Sequence, residues 1–282
     1  MAPRNTSFCQ NCGTKLEPPA PTPLRQEAVS GARKVKIGQM LARVLILPSK
    51  TDKIQITIGG DEEIKQIASV ELTSGYVLEI KAPLPLENGQ TAWMGESSSI
   101  SMNNGQMILD GQFVDMNRLI DVAIEVPTPM RMQVEYLIGK AIIRGVEVDL
   151  NLSIGFTTEV EAEDIGDLQA TMGGVSRLLV LRSKNVTLQA SGSSLADIRQ
   201  CTSNCLIAGA RGAASIDIHE GSTQSAHLSA SGAASVNFHG VAQSAALTAS
   251  GAGSIYLKEC LSRPSIGKSR AAQIQVDRYP QY

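Results

Sequence analysis

The sequence predicts an all-β fold: a single-stranded right-handed β-helix of about 20 residues per rung, with an irregular, β-rich N-terminal cap. Three observations predict it. A small-residue motif returns near the C-terminus as Ala190-Ser191-Gly192, Ala210-Arg211-Gly212, Ala230-Ser231-Gly232 and Ala249-Ser250-Gly251. The positions four and six residues after each glycine are apolar: Ala196 and Ile198, Ile216 and Ile218, Val236 and Phe238, Ile255 and Leu257. The positions between and after them carry Asp197, Asp217, Asn237 and Tyr256, then Arg199, His219, His239 and Lys258. That alternation of period two is the signature of a half-buried strand. Only 4% of the residues are aromatic, and short strands with Gly-rich corners favour a β-helix over a sandwich, although sandwiches also show regular short strands.

Each element follows from local chemistry. Residues 1–16 hold a small Cys-containing module, and residues 17–33, opening Glu17-Pro18-Pro19-Ala20-Pro21-Thr22-Pro23-Leu24, read as a Pro-rich linker, since proline fixes φ and removes backbone donors. Residues 34–125 are the expected capping part of one domain that runs over 34–265. Within it Ile54, Ile56 and Ile58 alternate as a strand, Asp61 to Ala68 has helical character, and Val77 to Lys81 returns to strand. Asn103-Asn104-Gly105 between Ile100 to Met102 and Met107 to Leu109 signals a hairpin. Such a cap covers an end rung whose backbone groups would otherwise be unpaired.

The regular rungs are expected over 126–265. Val146, Val148, Leu150, Leu152 and Ile154 alternate, and Leu168-Gln169-Ala170 lies one repeat before Leu188-Gln189-Ala190. A second strand per rung is expected from Leu188 with Ala190, Leu206 with Ala208, Leu228 with Ala230, and Leu247 with Ala249. Glycine supplies backbone freedom at the corner, and Ala or Ser lets successive turns approach. Residues 266–282 are left as a C-terminal tail.

Composition bounds the function. The 282 residues are 43% hydrophobic with a formal net charge of -2, so nothing strongly basic points to nucleic acid. The chain opens Met1-Ala2-Pro3-Arg4 without a secretory pattern, and its longest apolar runs, such as Val44 to Leu47, fall far below a membrane span. No transmembrane segment and a cytoplasmic location are therefore expected. Five cysteines, unevenly placed, do not form a disulfide framework.

Phe8-Cys9-Gln10-Asn11-Cys12-Gly13 has the form of a zinc knuckle, two thiolates on a tight turn. Structural Zn²⁺ takes four ligands, so Cys9 and Cys12 are half a site, completed by a second chain, or else a degenerate remnant. Cys201 and Cys260 both fall nine residues after a repeat glycine, three rungs apart, which separates them by roughly 14 Å at the strand spacing. They share neither a disulfide nor a metal, and with Cys205 they read as buried, inert thiols.

Arg199, His219, His239 and Lys258 share one outward column, with the two imidazoles expected about 5 Å apart. The column reads as a pH-sensitive or anion-binding surface, or as a solvated polar face. Glu159, Glu161, Glu163, Asp164 and Asp167 read as an exposed strand or a calcium site, although their spacing matches no known loop. No nucleophile with an adjacent base and no phosphate loop is apparent. The Asp197 and Asp217 column superficially permits a carbohydrate-cleaving cluster but continues as Asn237 and Tyr256.

Residues from about 120 to 260, with Ala123-Ile124-Glu125-Val126-Pro127, the Leu-x-Ala-Ser-Gly-Ala rungs at 228–233 and 247–252, and Ser254-Ile255-Tyr256-Leu257, resemble the auto-transporter adhesin head (GIN) domain. That group is similar to the broader toastrack β-helical repeats, and Val77 to Lys81 resembles the strand that opens those domains. The resemblance implies a β-helical scaffold without established enzymatic activity, and the toastrack relatives imply a link to bacterial envelope stress. The Cys9 and Cys12 module is similar to half a zinc ribbon, which implies docking or self-association through shared Zn²⁺.

Together these readings predict a non-catalytic scaffold or protein-interaction module, a homo-oligomer with a zinc half site. The alternative is a carbohydrate-binding or weakly polysaccharide-cleaving β-helix protein.

Overall fold

The structure is a computed structural model that describes residues 24–280 apart from 95–97, 104–105 and 270. It forms a β-solenoid of about 8 turns with about 19 residues per turn, one residue shorter than the repeat suggests. The difference arises where the ladder shifts register, as between Ile218/Ser222 and Phe238/Val241. There a turn accommodates one residue fewer without disturbing the columns on either side.

Successive turns stack along two long faces. On the first, Met40–Pro48 pairs in parallel with Ile120–Val126 and with the first half of Leu137–Ile154. The ladder continues through Glu159–Met172, Arg177–Ala190, Leu195–Gly212, Ser215–Gly232, Ser235–Gly251, Ser254–Cys260 and Gln273–Arg278. On the second, Val77–Lys81, Lys34–Ile37 and Met130–Glu135 lead in parallel into the second half of Leu137–Ile154. Ser265–Lys268 closes that face against Ser235–Gly251.

Antiparallel strands finish the N-terminal end. Ile54–Gly60 pairs with Ile120–Val126, Arg25–Val29 with Ile54–Gly60, and Ser69–Leu72 with Val77–Lys81. A reversal of direction ends a parallel stack because the next strand no longer repeats the columns beneath it.

Several boundaries differ from the sequence expectation. Arg25–Val29 is a strand, so the spacer expected over 17–33 gives way to ordered structure earlier. The partners of these residues lie far along the chain, in Ile54–Gly60, where a local reading sees only a polar stretch. Lys34–Ile37 and Met40–Pro48 are solenoid strands, although 34–125 was expected to be capping structure alone. At the other end the rungs run past 265 into Ser265–Lys268 and Gln273–Arg278. The helix appears as Glu62–Ile67 and the hairpin strands as Ile100–Asn103 and Gln106–Leu109. Their connecting residues and the module at 1–16 lie outside the described residues.

The core is the stack of inward columns. Ile216, Val236 and Ile255 are 0%, 0% and 2% exposed and occupy one column. The neighbouring column before the corner is Leu188, Ala208, Leu228 and Leu247, flanked by Ala190, Ala210, Ala230 and Ala249. Leu206 therefore aligns with Val186 and Ala226, and Leu168 with Val186, two positions from the expected registers. Leu206 lies six residues before Gly212, as Val186 does before Gly192 and Ala226 before Gly232, so the distance to the glycine itself gives the observed register.

From Met130–Glu135 to Ser254–Cys260, each passage from the second to the first face goes through a left-handed corner. Gly174, Gly192, Gly212, Gly232 and Gly251 hold it in successive turns, with φ between 60° and 78°. At Gly192 a Cβ would lie 2.8 Å from the carbonyl oxygen of Gly174, so close backbone stacking as well as conformation selects glycine. In the two preceding turns Tyr136 and Phe156 adopt the same conformation, at φ 55° and 57°.

Asp61 caps the short helix by accepting from the Ile64 amide at 3.0 Å, and Arg118 donates to both its carboxylate oxygens at 2.9 and 3.1 Å. The Arg118 hydrogen bond holds its carboxyl below the ordinary value of 3.8 against the opposing effect of burial. Because the folded pKa is the lower one, this stabilisation is present above the unfolded pKa and is lost as pH falls through the folded pKa. We expect Asp61→Ala to lower stability by about 1–2 kcal/mol at pH 7. Urea denaturation from neutral pH to below about pH 4 should show the gap to wild type narrowing in acid.

Among the described residues no helix is long and apolar enough to cross a membrane.

Candidate functional site

The solenoid places the predicted outward column as a row. Arg199, His219, His239 and Lys258 follow directly on Ile198, Ile218, Phe238 and Leu257, which pair in register. The imidazoles of His219 and His239 are stacked, 15° from parallel with centroids 6.3 Å apart. This exceeds the separation of about 5 Å expected from the strand spacing. His239 in turn meets Tyr256 at 4.8 Å.

Asp197 lies beneath this row. Its Oδ1 is 3.1 Å from His219 Nε2 and 3.6 Å from Arg199 Nε. Both Asp197 Oδ1 and His219 Nε2 are enclosed, and neither has an aligned hydrogen-bond partner. Arg199, His219 and His239 line an open depression of about 670 Å³ together with Leu181, Arg182 and Glu220. Lys258 is exposed one turn further on, outside that lining. The depression offers nitrogen donors beside two carboxylates, a surface suited to polar contacts. The expected Asp197, Asp217, Asn237, Tyr256 column is present, with Asn237 donating to Asp217 at 2.6 Å.

The acidic strand at 159–167 is engaged in ion pairs and hydrogen bonds. Lys140 contacts Glu159 and Glu161, and Arg182 contacts Asp164 through both its nitrogens, holding that carboxyl below its usual range against burial. Asn185 donates to Asp167 at 2.7 Å. Among the described residues no group of three or more His, Cys, Asp or Glu is placed to hold a metal ion.

The cysteines divide differently from the sequence expectation. Cys201 and Cys260 are buried, and burial raises the Cys201 thiol pKa. They do not share a column: Cys201 pairs with Gly221, whereas Cys260 pairs with Ala242, which follows Thr223 and Ser203. The register shifts between them offset the count from the glycine. Cys205 is exposed, not buried, because it follows the bulged stretch where the inward alternation lapses. Cys9 and Cys12 lie outside the described residues.

A second concavity went unread in the sequence. It is a cleft of about 680 Å³ whose lining includes Trp93, Tyr136, Phe156, Lys36, Glu79 and Glu135. Leu84, Leu86, Met107, Leu109 and Val114 form a layer on the outside of the solenoid, packed against Leu41 and Ile138. The cleft lies where this layer meets the second face. Gln39, 8% exposed, ties the two together: its amide donates to the Ala92 carbonyl at 3.1 Å and accepts from the Met94 amide at 2.6 Å. Trp93 is thereby held from both sides.

Four charges border the cleft. Lys36 contacts Glu79 at 3.2 Å and Glu135 at 3.3 Å, and Lys81 contacts Glu79 at 3.4 Å. Burial disfavours the charge on Glu79, but the Lys36 and Lys81 ammonium groups outweigh it and hold its pKa below the usual range. The sequence signal that could have found this site is the corner column, where Tyr136 and Phe156 stand in positions that later turns give to glycine.

No protein-family model and no curated relative matches the sequence. Solved structures do share the fold. A Bacteroides fragilis protein provisionally named an adhesin superposes with a TM-score of 0.55 at 14% identity, covering 90% of this chain and 97% of its own. A Parabacteroides distasonis protein provisionally named as lipid-binding gives a TM-score of 0.52 at 12% identity, covering 89% of this chain and 96% of its own. At such identities the likeness establishes the β-solenoid fold alone.

Proposed function

We propose that this chain is a non-catalytic interaction module of the adhesin-head (GIN) and toastrack kind, with a rigid solenoid body and a zinc knuckle that joins two copies. The observation that carries the reading is the parallel ladder that stacks turn on turn from Leu137 to Cys260. It projects Arg199, His219, His239 and Lys258 at fixed intervals from a backbone that cannot rearrange locally without breaking its neighbours' hydrogen bonds. Fold likeness to a protein provisionally named an adhesin supports the same reading. Cys9 and Cys12 from each of two chains would supply the four thiolates of a closed structural site, whose role is to hold the chains together.

The oligomeric state tests it. Light scattering of the full chain should give a dimer containing about 0.5 zinc per protomer, and a chelator or the pair Cys9→Ser and Cys12→Ser should return a monomer. A monomer in every condition overturns the self-association. A dimer that survives both Cys substitutions but separates on Arg199→Glu with Lys258→Glu overturns the zinc interface and places the contact on the solenoid row.

A further inference from the structure

We propose that the cleft between Trp93, Tyr136 and Phe156 is a binding site for a neutral oligosaccharide. The proposal is independent of self-association and of the row from Arg199 to Lys258.

The aromatic side chains are the first argument. The chain has one Trp, five Tyr and four Phe, and three of these border this one cleft. Trp93 is 48% exposed and Tyr136 57% exposed, so neither is there to fill the core. Exposed, rigid aromatic faces are suited to stacking against the C–H faces of a ring.

Backbone strain is the second. A non-glycine residue in the left-handed region costs of order 1 kcal/mol, and the same corner is glycine in each turn from Gly174 to Gly251. Tyr136 and Phe156 hold that conformation in consecutive turns, and both line the cleft. Retention of strain at an exposed tyrosine implies that its side chain serves something other than packing.

Charge selects the ligand class. Lys36 and Lys81 balance Glu79 and Glu135, and the pairs are already made. A cationic ligand would compete with the lysines for the carboxylates, and an anionic one with the carboxylates for the lysines. A wholly apolar ligand would cover these groups and cost their solvation. Sugar hydroxyls can donate to Glu79 or Glu135 and accept from Lys36 while the ion pairs persist. The volume, about 680 Å³, lies within the range of small-ligand sites. Gln39 acts as a positioning residue, since its two bonds to the backbone around Trp93 fix the indole before a ligand arrives.

Because Trp93 is the sole tryptophan, its fluorescence reports on the cleft directly. The full chain, at fixed zinc, is titrated with hexasaccharides of glucose, xylose, mannose and N-acetylglucosamine, with hexagalacturonate and oleate as controls. We expect a saturable change in Trp93 emission with at least one neutral sugar, and at least about tenfold weaker binding of both controls. Tyr136→Gly should weaken the sugar at least about tenfold, read calorimetrically, while leaving the melting temperature unchanged or raised, because glycine removes the backbone strain. No response to any neutral sugar overturns the proposal, as does tighter binding of hexagalacturonate or oleate. A Tyr136→Gly protein with a lowered melting temperature and undiminished affinity overturns it as well, assigning the residue to packing. Light scattering on the same samples separates this outcome from failure of the zinc interface.

Discussion

Gly221→Ala is expected to destabilise the solenoid by at least about 3 kcal/mol, or to prevent folding. Gly221 has φ of 139°, and a Cβ there would lie 1.7 Å from the carbonyl oxygen of Cys201 and 2.7 Å from its carbonyl carbon. Both atoms belong to the backbone of the adjacent turn, with which Gly221 is paired, so no side-chain rotation relieves the overlap. Gly89→Ala is the matched control. Its φ is 82° and nothing lies within 4 Å of the added carbon, so only the left-handed conformation is penalised, by about 1–2 kcal/mol. Urea denaturation of the two variants measures the difference, and equal midpoints would show that the turns do not approach as closely as described.

Phe238→Ala is expected to cost about 3–5 kcal/mol. Phe238 is fully buried and heads the largest enclosed side chains, in the column of Ile198, Ile218 and Leu257. Neighbouring turns hold a closely spaced ladder around it, so little collapse into the vacated space is available. Gly240 leaves the room that the ring uses, since a Cβ there would lie 2.3 Å from the ring edge. Phe238→Leu keeps most of the volume and should cost less than about 2 kcal/mol. Chemical denaturation that ranks the leucine variant below the alanine variant in stability would contradict this packing.

The fold was legible wherever burial imposes alternation. Ile216, Val236 and Ile255, or Val146 through Ile154, point inward because neighbouring positions point to water, and that pattern needs no knowledge of the partner strand. Registers counted from the glycines were less secure. Cys260 lies two positions from the expected column because the shifts near Phe238 are set by contacts between turns, whereas Leu206 lies six residues before its glycine and Leu188 and Leu228 only four before theirs. The row of Arg199, His219, His239 and Lys258 follows directly on the in-register column of Ile198, Ile218, Phe238 and Leu257 and so kept its order. The aromatic cleft was not legible, because Trp93, Tyr136 and Glu79 come from distant parts of the chain and meet only when the layer of Leu84, Leu86, Met107, Leu109 and Val114 docks on Leu41 and Ile138.

By itself the sequence determined a stacked β architecture, its inward columns and its glycine corners, because alternation and left-handed φ are properties of a few neighbouring residues. Only the tertiary structure decided how the turns slide against one another, which strands end the stack, and that two corners bring aromatics, Tyr136 exposed and Phe156 half-buried, beside balanced charges. Those features depend on close backbone approach and on packing between segments far apart in sequence, and no local pattern encodes either.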